Sequence, residues 1–158
     1  MKIDDVKILA RKLMNENGLE DWKFKFDSAK RRLGCCYYNK KIISLSSILV
    51  KLNNEEQIRD TILHEIAHAL LPPIEGHSRK WRLKAQAIGC CAKRCVESED
   101  IITPLPNYRA ICNNCGRIFS AFRKKRVDAA CNYCCKKFNN NRYNPRFKLK
   151  FVKVKNES

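Results

Sequence analysis

The pentapeptide His64-Glu65-Ile66-Ala67-His68 constrains this chain more than any other stretch. It lies in a run where Ile58, Ile62, Ile66 and Ala69 recur at helical spacing. Four residues at 100 degrees each return His68 to within about 40 degrees of His64, so both imidazoles share one face of a helix. The spacing predicts that helix over residues 55 to 71, with Asn53 or Asn54 as cap, Glu55 and Glu56 in the first turn, and Pro72-Pro73 ending it. Two imidazoles among Ile62, Leu63, Ile66 and Ala67 would be costly to bury alone, which points to a shared cation.

A third ligand is at hand. The chain has only three histidines, His64, His68 and His77, all within fourteen residues, and the break at Pro72 lets the chain fold back to bring His77 towards the ion. Glu75 and Glu97 are the alternatives. Three protein ligands leave a tetrahedral Zn2+ with one position for water, whose pKa can fall to about 7. Glu65, one position round the helix, is placed to act on that water as general base while remaining outside the ligand set. The longer metzincin pattern fails, because its Gly and third His would fall at Leu71 and Ile74. Arg32, Tyr37 and Tyr38 are the nearest candidates for an oxyanion donor.

At 158 residues and 44% hydrophobic positions, the chain suits one modest globular unit plus a small metal-stabilised module. Residues 3 to 17 have helical periodicity and end at Asn17-Gly18. Trp22, Phe24 and Phe26 alternate with lysines, and the runs Leu33 to Tyr38 and Lys41 to Leu45 flank a hairpin turn at Asn39-Lys40, giving a small antiparallel sheet. A further helix is expected from Ser78 to Ile88, with Trp81 and Ala85 inward. No uncharged run approaches the about 18 to 20 apolar residues of a membrane span. The amino terminus lacks the pattern of a secretory leader, so the expectation is an intracellular protein without a membrane partner: cytoplasmic in a bacterial or viral setting, nuclear in a eukaryotic one.

After Thr103-Pro104-Leu105-Pro106 the composition shifts. Cys112-x2-Cys115, fifteen residues, then Cys131-x2-Cys134 has the spacing of a four-cysteine zinc ribbon, with Cys135 as an alternative to Cys134. Such a closed site folds a module rather than catalysing a reaction. Cys35, Cys36, Cys90, Cys91 and Cys95 read most simply as small core or surface residues, with a third metal site among them as the alternative. The charge is uneven: residues 101 to 158 hold fourteen Lys or Arg against two acids, net +12, while residues 1 to 100 hold nineteen against fourteen, net +5. That excess selects a polyanion, above all nucleic acid. Arg117, Arg123, Lys124, Lys125, Arg126, Lys136 and Lys137 are the candidate phosphate contacts. Interleaved Phe119, Phe122, Tyr133, Phe138 and Tyr143 suit single-stranded or mixed single- and double-stranded DNA. Phe147 to Phe151 alternates like a strand completing the ribbon's sheet.

The order Trp22 to Asp27, Arg31 to Gly34, Ile43-Ser44-Leu45-Ser46, Thr61 to Ala69, Glu75-Gly76-His77 and Trp81 resembles the SprT-like, or Spartan-type, zinc metalloprotease family. The resemblance covers residues from about 20 to 90 and extends to the cysteine module found in short members. It implies His64, His68 and His77 as zinc ligands, Glu65 as general base, and proteolysis of DNA-bound or DNA-crosslinked proteins stimulated by DNA. One departure is Ser78, where the family usually has glycine. The full expectation is an α+β metalloprotease domain over residues 1 to 103, a small β-rich zinc ribbon over 104 to 158, and two zinc ions, one catalytic and one structural. The rival reading is a zinc-stabilised nucleic-acid-binding adaptor without catalysis.

Overall fold

The computed structural model describes residues 1–91, 101–124 and 128–154. The chain divides into two compact units, Met1–Pro104 and Leu105–Ser158.

In the first unit, α1 (Ile3–Glu16) buries Val6, Ala10, Leu13 and Met14 on one stripe and ends at Asn17-Gly18, where Gly18 takes a left-handed φ of 72°. Three strands follow: β1 (Lys23–Asp27), β2 (Gly34–Tyr37) and β3 (Ile42–Ser46). The class is α+β as expected, but the sheet is mixed rather than antiparallel. β2 and β3 form the expected hairpin, while β1 lies on the other side of β3 and runs parallel to it, with Phe24 opposite Ile43 and Phe26 opposite Leu45. Residues 28 to 33 carry the chain across, so β2 becomes an edge strand.

The crossing is organised by one carboxylate. Asp27 accepts hydrogen bonds from the Ala29 N–H (2.9 Å) and the Ser44 hydroxyl (2.8 Å), and pairs with Arg32 at 2.9 Å. Burial alone would raise the pKa of Asp27; those three donors outweigh it and hold the group below its ordinary value. Ile43-Ser44-Leu45-Ser46 therefore has a division of labour: Ile43 and Leu45 enter the core, and the serine hydroxyls tie β3 to Asp27 and to the Ala29 carbonyl.

Beyond the short α2 (Ser47–Val50), α3 (Glu55–Ala69) begins with a reciprocal cap, the Asn54 side chain on Gln57 N–H and the Gln57 side chain on Asn54 N–H. Asn53, the other candidate cap, is instead buried and bonded to the backbone of Leu49 and Ile102. From Thr61 to Ala67 every residue of α3 is buried, because α1, α4 (Arg79–Ala87), β2 and β3 all pack on it. The helix that carries the pentapeptide is thus the central element of its unit.

The second unit pairs β4 (Tyr108–Ile111) with β5 (Ile118–Ala121) and with a two-residue β6 (Val152–Lys153). A short helix, α5 (Asn132–Phe138), starts directly after Cys131 and carries Cys134 in its first turn, so this unit is less purely β than its cysteine spacing suggests. The expected strand at Phe147 to Phe151 is displaced. Pro145–Phe147 forms a 3-10 turn, Phe147 and Leu149 drop into the core, and pairing with β4 starts only at Val152. Among the described residues no helix is long and apolar enough to cross a membrane.

Candidate metal centre and basic surface

Two chain segments meet at the histidines. His64 and His68 project from α3 one turn apart; after Pro72 a 3-10 turn (Pro73–Glu75) and Gly76 reverse the chain and bring in His77. Gly76 has φ 48° and ψ −120°, a conformation that a side chain would strain. Ser78 needs no such freedom. With φ −63° it caps α4, accepting the Trp81 N–H at 3.3 Å and donating to Glu75 at 2.7 Å. Glu75 is also held by Lys80 at 3.1 Å, so both oxygens of this alternative ligand are engaged outside the histidine group. Glu97 lies outside the described residues.

The Nε2 atoms of the three rings converge, 3.3 Å between His64 and His68 and 3.1 Å from each to His77. Tetrahedral bonds of about 2.0–2.1 Å would space nitrogen ligands about 3.3–3.4 Å apart, so the triangle fits a zinc-sized ion. Burial, reinforced by the neighbouring imidazoles, pushes His64 and His68 down to about 4, leaving both neutral at pH 7 with lone pairs available. Tyr38 Oη stands 3.3 Å from His68 Nδ1, on the ring edge opposite the convergence point, where it orients the ring. Trp81, fully buried, packs on all three rings with centroids 4.6 to 5.1 Å away. Its inward position is legible in the periodicity of α4; its role as the floor of the cluster is not.

Glu65 is 8% exposed and sits against β2. Burial pushes its carboxyl up to about 7, opposed by the Arg32 charge and by a hydrogen bond from the Cys36 N–H. An open pocket of about 170 Å3 lies beside it, with Arg31, Arg32, Gly34, Thr61, His64 and Glu65 in its walls. Of the three candidate oxyanion donors, Arg32 reaches this pocket; its guanidinium also bonds Asp27 and the Tyr37 hydroxyl, at 2.9 and 3.0 Å.

In the second unit Cys112, Cys115, Cys131 and Cys134 bring their sulfur atoms within 4.8 Å of one another. The Cys112–Cys134 and Cys115–Cys131 separations are 3.8 and 3.7 Å. A tetrahedral site with bonds of about 2.3 Å requires about 3.75 Å. The backbone supplies donors as well: N–H groups of Asn114 and Cys115 point at the Cys112 sulfur and hold its pKa near 7 against the effect of burial. The Asn114 side chain reaches the Cys134 sulfur at 3.4 Å. Cys135, the alternative fourth ligand, is buried beside this group of four and is not part of it.

Around this site Arg117, Arg123, Lys124, Lys136 and Lys137 are all exposed, while Lys125 and Arg126 lie outside the described residues. Arg117 stacks over the Tyr133 ring at 3.9 Å and Lys137 lies over Phe138 at 5.3 Å, joining cation and aromatic surface. Tyr133, Phe138 and Tyr143 are exposed; Phe119 and Phe122 are half-buried, and Phe119 packs on the ribbon core.

A mixed three-stranded sheet packed on a central helix, with three imidazoles and a buried glutamate along that helix, defines an α+β protein with a histidine-triad centre able to hold a metal ion. The model of the SprT-like family matches residues 5–100, and the chain belongs to that family, which is associated with zinc metallopeptidases. No curated protein matches the chain.

Proposed function

We propose that this protein is a zinc-dependent endopeptidase that cleaves DNA-bound or DNA-crosslinked proteins, in DNA repair or replication, with DNA engaged by the second unit. The observation that carries the reading is the buried Glu65 carboxylate beside three converging imidazoles and an open pocket. His64, His68 and His77 would hold one zinc ion, and Cys112, Cys115, Cys131 and Cys134 a second that is structural. Bound at the histidines, zinc supplies Lewis-acid polarisation of a peptide carbonyl and of water.

The chain's own groups do the rest. Glu65 takes a proton from the attacking water and returns it to the leaving amine. Tyr38 holds the His68 ring in place, Trp81 keeps solvent off the inner face of the triad, and Cys36 N–H fixes the Glu65 carboxylate. Arg32, held by Asp27 at the pocket wall, is placed to balance negative charge developing on the scissile group. In the second unit, Arg117, Arg123, Lys124, Lys125, Arg126, Lys136 and Lys137 would contact phosphates, and Tyr133 and Phe138 offer faces for bases of single-stranded or mixed DNA. A protease with little side-chain preference becomes selective when DNA raises the local concentration of bound proteins at its cleft.

The test is incubation of the zinc-loaded protein with a histone-like substrate, with and without single-stranded DNA, followed by product analysis. Peptide products that increase with DNA support the reading. DNA binding without cleavage would leave the adaptor function, and cleavage indifferent to DNA would remove the DNA-directed part.

A further inference from the structure

A third group of metal-ligating side chains lies in the first unit, made of residues outside the two clusters described above. Asp60, on α3 one turn before His64, receives the chain as it leaves α4 at Gly89. The Cys91 N–H donates to Asp60 Oδ1 at 2.7 Å, and the Cys91 sulfur lies 2.8 Å from Oδ2. The neighbouring Cys90 sulfur is buried against α3, 3.8 Å from the Asp60 backbone carbonyl. One carboxylate oxygen and both sulfur atoms fall within 4.8 Å of one another.

We propose that Asp60, Cys90 and Cys91 form a further metal site, for a thiophilic divalent ion of the Zn2+ or Cd2+ class. Two thiolates and a carboxylate are a donor set that favours such ions over Mg2+ or Ca2+, which take all-oxygen shells. Adjacent cysteines have no ordinary knuckle spacing, and sequence alone gives no reason to join them to a residue thirty positions earlier. The fold does so, by docking the end of α4 on α3. Cys90 is anchored in the core, whereas Cys91 is exposed.

The ion would clip together the two helices that frame the histidine triad. α3 bears His64 and His68; α4 bears Trp81, the floor beneath all three rings. Asp60 also lines the pocket beside Glu65, so occupancy at this clip would be felt at the wall of the cleft. The inference stands apart from the proteolytic reading, since it needs neither catalysis nor DNA.

The test is site-resolved thiol alkylation of the full-length zinc-loaded protein across a range of added Zn2+, read by peptide mass spectrometry. Zinc is expected to slow alkylation of Cys91 by about tenfold or more, because a metal-bound thiolate is a poor nucleophile towards the reagent. Asp60→Asn and, separately, Cys90→Ser should each abolish that protection while the peptides of Cys112 and Cys134 stay protected. A Cys91 rate independent of zinc in the wild-type chain would overturn the proposal. So would protection that survives both substitutions. The wild-type zinc dependence decides the matter even where a variant folds poorly.

Discussion

Gly34, on the edge strand, lies so close to Glu65 that a Cβ placed on it would stand 2.8 Å from both Cγ and Oε1 of the glutamate, and 2.7 Å from the Thr61 methyl group. Neither approach can be accommodated in place. The glycine is required here by closeness of approach, since its backbone needs no left-handed angle. Gly34→Ala is expected to push Glu65 or the strand aside, costing about 1–3 kcal/mol of stability. Displacing the carboxylate should cut peptidase activity by about tenfold or more. Zinc content and turnover of the purified variant check this: full zinc with wild-type turnover would show that the close packing does not position Glu65.

Glu65→Gln preserves size and removes the proton acceptor. Cleavage should fall by about 10²- to 10⁴-fold, while zinc stays bound, because the side chain is outside the proposed ligand set. His77→Ala should act differently, lowering bound zinc by one equivalent. Metal analysis of both variants beside their activities separates the two roles; turnover by the glutamine variant at the wild-type rate would remove Glu65 from the mechanism.

Asp27 sets an acid limit on the first unit. Its folded pKa lies below that of the unfolded chain, about 3.9. The resulting stabilisation is fully present above that value and is lost as pH falls through the lower, folded value. Asp27→Asn should therefore destabilise the protein by about 1–2 kcal/mol at neutral pH, with the gap closing in acid. Denaturant melts of both proteins at pH 7 and near pH 3 measure the difference, and a gap that widens in acid would contradict the assignment.

Exchanging Arg123 and Lys124 for glutamine, together with Lys136 and Lys137, should weaken single-stranded DNA binding. The slope of log affinity against log salt should become shallower by about 0.7 for each phosphate that the variant no longer neutralises. Binding titrations at several salt concentrations give that slope directly. An unchanged slope would place the DNA elsewhere.

The boundary between what was legible in the sequence and what was not follows the range of the interactions. Helical repeat alone puts His64 and His68 on one face, the turn residues after Pro72 supply the reversal that brings in His77, and Cys-x2-Cys spacing brings the two sulfurs of each pair together. Each depends on geometry within a few residues, as do the Asn54 cap and the end of α1 at Gly18. The path of the chain between elements is another matter. Nothing local distinguishes β1 beside β2 from β1 running parallel to β3, and the answer rests on Asp27 gathering Ala29, Arg32 and Ser44 around one carboxylate. The same holds for Gly34 pressed on Glu65, for Trp81 beneath the imidazoles, and for Asp60 meeting Cys90 and Cys91 across thirty residues. Phe147 illustrates the limit: its alternating neighbours read as a strand with one buried face, and Phe147 and Leu149 do enter the ribbon core, yet the segment bridges residues 129 to 131 and joins β4 only at Val152. Residue type and spacing determined the chemistry this chain can offer; only the packing of distant segments decided which groups stand against one another, because that depends on the one chain path that fills the core.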